Sequence, residues 1–439
     1  LLIMKVIISF IIIFIFSILL YLGWEKWFVS TPQQLPQESA IASGMGDRLI
    51  QGVYYETSVS PAQSDWHSSA NYRLWIPNGV KEIRGLIVMQ HGCGSDAEVS
   101  GLDHANDLQW QALALKHQFA LLGSKVSAGS QPCEFWAFPS GGSESTFLQA
   151  IRSLGQISRH LELETVPWVL RGHSGGAEWI AYMFAKYSRR TIAAVARRGG
   201  GFLLVGADPS MSQVPVFFVV GENDPFPYDC VEVPKQVFLR QRKKGAVWSF
   251  ASSPKTAHEV GNTRFLAIPY LDAVIAERLN SNGELVAIAP QKGWLGNLTT
   301  HEISSASSYT GNPLEAAWLP NEDVARKWKE YVTTGNVLPT RKPAAPTNVQ
   351  VLKKTDRQAV ITWNFTPDLE NGLPSFHIYR NNSLVATVKG QDHGFGDAPD
   401  PVNVFLEYLD KNAQVNASYT VAAFNAIGES VSSATKFSK

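Results

Sequence analysis

Apolar and polar positions divide this chain into regions of different period. Between residues 83 and 251, short and almost wholly apolar runs recur: Ile83–Gln90, Phe119–Gly123, Trp168–Leu170, Ile192–Ala196, Val214–Val220 and Val247–Ala251. Runs of this kind predict strands of a parallel sheet covered on both faces. Apolar residues at helical spacing between them predict helices over Asp107–His117, Glu144–His160, Gln236–Arg242 and Thr263–Leu279. Val53–Thr57 and Tyr72–Pro77 predict two antiparallel edge strands ahead of these. The front half of 285–337 reads as loop, and Asn321–Tyr331 as a helix that packs back through Val324, Trp328 and Tyr331.

From Thr347 the period becomes two. Ala359, Ile361 and Trp363 share one face of a strand, Phe376 and Ile378 another, and Tyr419, Val421 and Ala423 a third. Short alternating strands separated by turns over 347–439 predict an all-β, immunoglobulin-like sandwich. A proline-rich spacer, 339–346, precedes it.

At the other end, Val6 to Leu22 is apolar except for Ser9 and Ser17, with Lys5 before it and Glu25 and Lys26 after it. Its length approaches that of a bilayer span. Residues 4–24 are therefore expected to form a membrane-anchor helix, with the rest exported to the cell envelope or outside the cell; a cleaved signal peptide is the alternative. Residues 25–46 read as a tether, and 47–338 as the main α/β body.

Composition narrows the function. With 38 basic and 38 acidic residues the formal net charge is zero, so nothing in the bulk charge attracts nucleic acid. His104, His117, His160, His301, His377 and His393 lack metal-ligand spacing, and His258-Glu259 is not followed by a second histidine at the zincin position. No phosphate-binding loop or dinucleotide fingerprint follows a strand. Neither a metal nor a cofactor is expected.

The chemistry concentrates in Gly172-His173-Ser174-Gly175-Gly176. It lies between the apolar run ending at Leu170 and a helical stretch with Ala177, Ile180, Ala181 and Phe184 on one face. Glycines flanking a serine between strand and helix describe a nucleophile elbow; the plainer alternative is a glycine-rich turn whose serine caps the helix. A serine nucleophile needs a base, an orienting acid and an oxyanion site. Asp224 follows the Val214–Val220 run, with Glu222 as a fallback acid. His258 follows the last predicted strand. His91-Gly92-Cys93-Gly94 follows Ile83–Gln90 and offers an N–H from Cys93 or Gly94, to be paired with that of Gly175. The aromatic loop Pro132–Pro139 places Phe135 and Trp136 either against substrate or in a packed lid. Arg197 and Arg198, at the end of another predicted strand, are candidates for binding a substrate carboxylate or for local pairing.

On these motifs, residues 50–280 resemble the α/β-hydrolase superfamily. The His91-Gly-Cys93 loop together with Gly172–Gly176 is similar to secreted esterases of the polyhydroxybutyrate-depolymerase and feruloyl-esterase type. Residues 347–439 resemble a fibronectin type III domain, with Trp363 as its buried tryptophan and Tyr419 as its corner tyrosine. Such modules in exported hydrolases act as spacers or as weak contacts with polymer. The resemblance implies that the loops holding Cys93 and Cys133 are neighbours, so that an exported chain would pair them and leave Cys230 free; three unpaired thiols are the alternative. It also implies a serine carboxylic-ester hydrolase acting on a polymeric ester, an acylated polysaccharide or a polyester. A serine peptidase or acyltransferase on the same triad, and a non-catalytic adhesion protein, are the other readings.

Overall fold

The central sheet of the computed structural model has nine strands: β1 (Ala40–Ile41), β2 (Gly52–Val59), β3 (Ser69–Pro77), β4 (Gly85–Gln90), β5 (Phe119–Ser127), β6 (Trp168–His173), β7 (Thr191–Arg197), β8 (Val216–Gly221) and β9 (Trp248–Ser253). The structure describes residues 40–41, 49–201, 209–355, 357–400 and 404–437. The expected anchor at 4–24 lies outside them. Among the described residues no helix is long and apolar enough to cross a membrane.

The strand order is β1-β2-β3-β5-β4-β6-β7-β8-β9. Pairings from β1 to β5 through β3 are antiparallel, and those from β5 through β4 to β9 are parallel. The apolar runs follow from this position in the fold. Leu86 and Val88 point into one core, with the helices Ser143–Ser158, Gly175–Lys186 and Val233–Lys243. Ile87 and Met89 point into the other, with Leu108–His117, Arg264–Arg278 and Glu322–Thr334. Each strand residue fully buried this way contributes about 1.5–3 kcal/mol. Both layers leave the C-terminal ends of the parallel strands free to carry loops, where such sheets place their chemistry.

The front half of 285–337 is mostly loop, with two short strands in it and a third after it. Trp294–Gly296, Ile303–Ser305 and Ala317–Leu319 form a three-stranded antiparallel sheet. Strands of three residues are too short to show a period. The helix after them, Glu322–Thr334, is capped by Asn321, whose side chain accepts from the Val324 N–H. Its Val324, Trp328 and Tyr331 are buried.

The C-terminal region is two antiparallel sheets around one core. Thr347–Thr355, Gln358–Asn364 and Glu407–Asp410 form one sheet. Ser383–Val388, Ser375–Arg380, Ser418–Asn425 and Gly428–Val431 form the other, with Thr435–Lys436 added beside Ser418–Asn425. Trp363 and Tyr419 are fully buried between them, and the Tyr419 hydroxyl donates to Asp410 at 2.7 Å. A small hairpin, Asp392–His393 against Pro399–Asp400, emerges from the connection between the two sheets. The α/β body and this β region belong to one compact unit, Glu38–Lys439.

Candidate active site

Ser174 stands at the turn from β6 into the helix Gly175–Lys186, with φ 54° and ψ −121°. A non-glycine residue held there stores on the order of 1–3 kcal/mol of strain. Its flanking glycines show why the turn can be so tight. A Cβ on Gly172 would lie 2.2 Å from the Gly176 carbonyl oxygen, and one on Gly176 would lie 2.2 Å from that of His91. The Ser174 N–H donates to the carbonyl of Arg197 at 2.8 Å, which fixes the elbow to the end of β7. The hydroxyl is lifted clear of the sheet beside the positive end of the helix dipole.

His258, in the loop after β9, places Nε2 2.8 Å from the Ser174 hydroxyl. Its Nδ1 lies 2.9 Å and 3.1 Å from the two carboxylate oxygens of Asp224, in the loop after β8. The Asp224 side chain is sealed from solvent, while that of His258 is 16% exposed. The Phe226 N–H donates to Asp224 at 3.0 Å and orients the carboxylate. Glu222, two residues earlier, turns outward and accepts from the Lys255 N–H. A hydroxyl bonded to an imidazole that a carboxylate holds is the arrangement that activates an alcohol as a nucleophile.

The loop after β4 lies against this elbow. A Cβ on Gly92 would come 3.3 Å from that of Ser174. Cys93 is joined to Cys133 in a disulfide with Cα atoms 5.6 Å apart, and Cys230 is free and buried. Among the described residues, no side chain or carbonyl accepts the N–H of Cys93, Gly94 or Gly175. A Cβ on Gly175 would lie 3.7 Å from the Cys93 nitrogen, so two of these free donors are neighbours.

Of the four candidate substrate contacts, Trp136, Arg197 and Arg198 are buried and take their structural alternative. Trp136 is 2% exposed and packs on His91 at 4.6 Å, so it supports the Cys93 loop from beneath. Phe135 is partly exposed and leans on Trp66. Arg197 and Arg198 face the interior. Arg198 donates to the carbonyls of Glu259 and Val219, and Arg197 to Asp397. Buried guanidiniums need local acceptors, and these bonds supply part of that need.

Asp224, Cys230 and His258 bring one potential metal-ligand atom each within 4.8 Å of one another. Two of the three are engaged with each other. Burial, with Asp224 and Asp229 nearby, pushes the Cys230 thiol up to about 12.

The pattern of residues did not reveal the aromatic rim of the site. Phe226 stands edge-on to His258 at 5.3 Å and Phe395, from the C-terminal hairpin, lies 5.8 Å from His173 and 6.4 Å from His258. Both rings are more than half exposed. A cleft of about 680 Å³ lies elsewhere, between Lys116, Phe265 and Leu338 of the body and Glu370 and Phe424 of the β region. A crevice of about 590 Å³ begins at Cys93 and Gly94 and runs between that loop and the hairpin.

No family model and no curated protein matches this chain. Solved structures similar to it include a thermostable esterase, at 18% identity and TM-score 0.37, covering 46% of this chain and 55% of that one. A ferulic acid esterase is similar at 13% identity and TM-score 0.36, covering 48% and 92%. An S-formylglutathione hydrolase from Agrobacterium tumefaciens is similar at 11% identity and TM-score 0.36, covering 54% and 96%. This chain thus spans about half the length of the first of these. With TM-scores below 0.5 these likenesses assign no family, and the chemistry of the site rests on its own geometry.

Proposed function

We propose that this chain is an exported serine hydrolase that cleaves carboxylic esters through an acyl-enzyme. Ser174 attacks the ester carbonyl while His258 Nε2 takes its proton. The negative charge formed on the carbonyl oxygen lies between the N–H groups of Gly175 and of Cys93 or Gly94. The C–O bond to the alcohol breaks as His258 returns the proton to the leaving oxygen. Water, deprotonated by the same imidazole, then releases the acid and restores Ser174. Asp224 keeps the proton on Nδ1 in the resting state and stabilises the imidazolium in between. The observation that carries this reading is the 2.8 Å contact between Ser174 and His258, continued by the 2.9 Å contact to Asp224.

The substrate in this reading is polymeric, an acylated polysaccharide or a polyester. The exposed rings of Phe226 and Phe395 beside His258 support it, since aromatic faces bind flat apolar groups and sugar rings. The apolar N-terminal segment and a disulfide next to the site support an exported, membrane-tethered location.

A fluorophosphonate should label Ser174 of the full chain, and Ser174→Ala should abolish both labelling and hydrolysis of p-nitrophenyl acetate. Peptide anilides should be poor substrates. Release of acid from acetylated xylan, feruloylated arabinoxylan or polyhydroxybutyrate would then identify the polymer. An unlabelled Ser174 in folded protein, with no esterase activity, overturns the reading.

A further inference from the structure

The hairpin that leaves the C-terminal sandwich does not hang free. Its tip, residues 394–398, is seated in the α/β body next to Ser174 and His258. The Phe395 carbonyl accepts the Val260 N–H at 3.0 Å, two residues beyond His258. Asp397 is 2% exposed and sits among three arginines of the body. Arg171 and Arg197 reach one of its oxygens at 2.5 Å and 3.0 Å, and Arg264 reaches the other at 2.7 Å. Arg264 also holds Asp107, which pairs with His393 at the base of the same hairpin. Burial disfavours the Asp397 carboxylate, but Arg264, Arg171 and Arg197 outweigh it and keep it below the usual carboxylate range.

The positions of these arginines matter more than their number. Arg171 lies in β6, three residues before Ser174. Arg197 ends β7, and its carbonyl is the acceptor for the Ser174 N–H. Asp397 therefore clips together the two strand ends that shape the elbow, from a region more than 190 residues further along the chain. Phe395, two residues earlier, is the exposed part of the same tip at 59%. With Phe226 it flanks the His258 ring, and it forms one wall of the crevice that starts at Cys93 and Gly94.

We propose that this hairpin is part of the active site, so that the C-terminal β region completes the enzyme instead of spacing it from a polymer. Phe395 is a specificity-determining residue that packs on the apolar part of the ester. Asp397 is a positioning residue that holds Ser174 through Arg171 and Arg197. The proposal rests on reading Ser174 as the nucleophile.

The test uses the full chain, with fluorophosphonate labelling of the wild type as the control for that reading. Phe395→Ala alters an exposed side chain and should fold. Its kcat/KM should fall about 10-fold on 1-naphthyl butyrate, mainly through KM, and by a smaller factor on p-nitrophenyl acetate, whose apolar surface is smaller. Phe395→Leu should recover part of the loss. Asp397→Asn should lower kcat about 100-fold on every ester, with KM little changed and Ser174 labelling slowed in parallel. That measurement is made where circular dichroism shows the variant folded, and Asp397→Glu should recover part of it. A labelled, active wild type whose Phe395→Ala variant loses both esters equally, or neither, overturns the specificity role. A folded Asp397→Asn with wild-type kcat overturns the positioning role. A wild type that is not labelled at all sinks the serine-hydrolase reading itself.

Discussion

The sulfur of Cys93 occupies the space that a side chain on Gly175 would need. A Cβ there would lie 2.8 Å from Sγ, and the sulfur cannot retreat because it is bonded to Cys133. The residue after the nucleophile and the loop after β4 are thus packed atom against atom, which sets the spacing of the two N–H groups offered to an oxyanion. Gly175→Ala should push these donors apart. The expected loss is about 100-fold in kcat, the size seen when one oxyanion donor is removed, with KM changing much less. Steady-state kinetics on p-nitrophenyl acetate check it, and an unchanged kcat would remove these N–H groups from the mechanism.

The Cys93–Cys133 bridge closes a loop of sequence separation 40. The loop-entropy relation puts its contribution at about 4 kcal/mol. Cys133→Ser should therefore lower the urea midpoint substantially. Because Cys93 abuts Gly175, the folded variant should also lose kcat, whereas Cys230→Ser should keep it. Equal activity of Cys133→Ser and wild type at a temperature where both are folded would confine the bridge to stability.

The acid assignment separates two neighbouring carboxylates. Asp224 is sealed from solvent and faces Nδ1 of His258, while Glu222 accepts from the Lys255 N–H at the surface. Asp224→Asn offers the imidazole a donor where it needs an acceptor and favours the wrong tautomer. A fall in kcat of about 10,000-fold is expected. Glu222→Gln should stay within about two-fold by the same assay. If the two variants exchange these outcomes, the orienting acid is Glu222.

Much of this site was legible because its signals are local. An apolar run such as Val216–Gly221 must be buried on both faces, and the loop after it can then be placed at the active end of the sheet. The elbow carries its own glycines within five residues. Asp397 had no such signal. Its partners Arg171 and Arg197 are 226 and 200 residues away in the chain. At the end of an apolar strand, Arg197 reads as a substrate ligand or, as is more common there, as a partner of a local carboxylate, with nothing to say which carboxylate. Trp136 was ambiguous for a related reason, since a loop has no period to say which of its aromatics turns inward.

Buried neutral histidines should set the acid limit of stability. His91 Nδ1 donates to the Gly92 carbonyl at 2.7 Å, and its Nε2 accepts the Val126 N–H at 2.9 Å. One neutral tautomer satisfies both bonds, and a proton on Nε2 would break the second. Burial lowers the pKa of His91 from 6.5 to about 4, and burial, with Arg197, His258 and Arg171, holds His173 well below its ordinary value. Above 6.5 the ring is neutral in both folded and unfolded chains, so its contribution is fully present. As pH falls from there towards 4, only the unfolded chain takes up the proton, and stability is lost. Each such histidine adds a slope approaching about 1.4 kcal/mol per pH unit. Asp397, held low by its arginines, keeps its contribution through this window and loses it only in stronger acid. Urea unfolding at about pH 7, 6 and 5 should show stability falling with pH, and His91→Gln should reduce the slope by about one proton. If the variant and the wild type fall in parallel, His91 is not a source of the acid sensitivity.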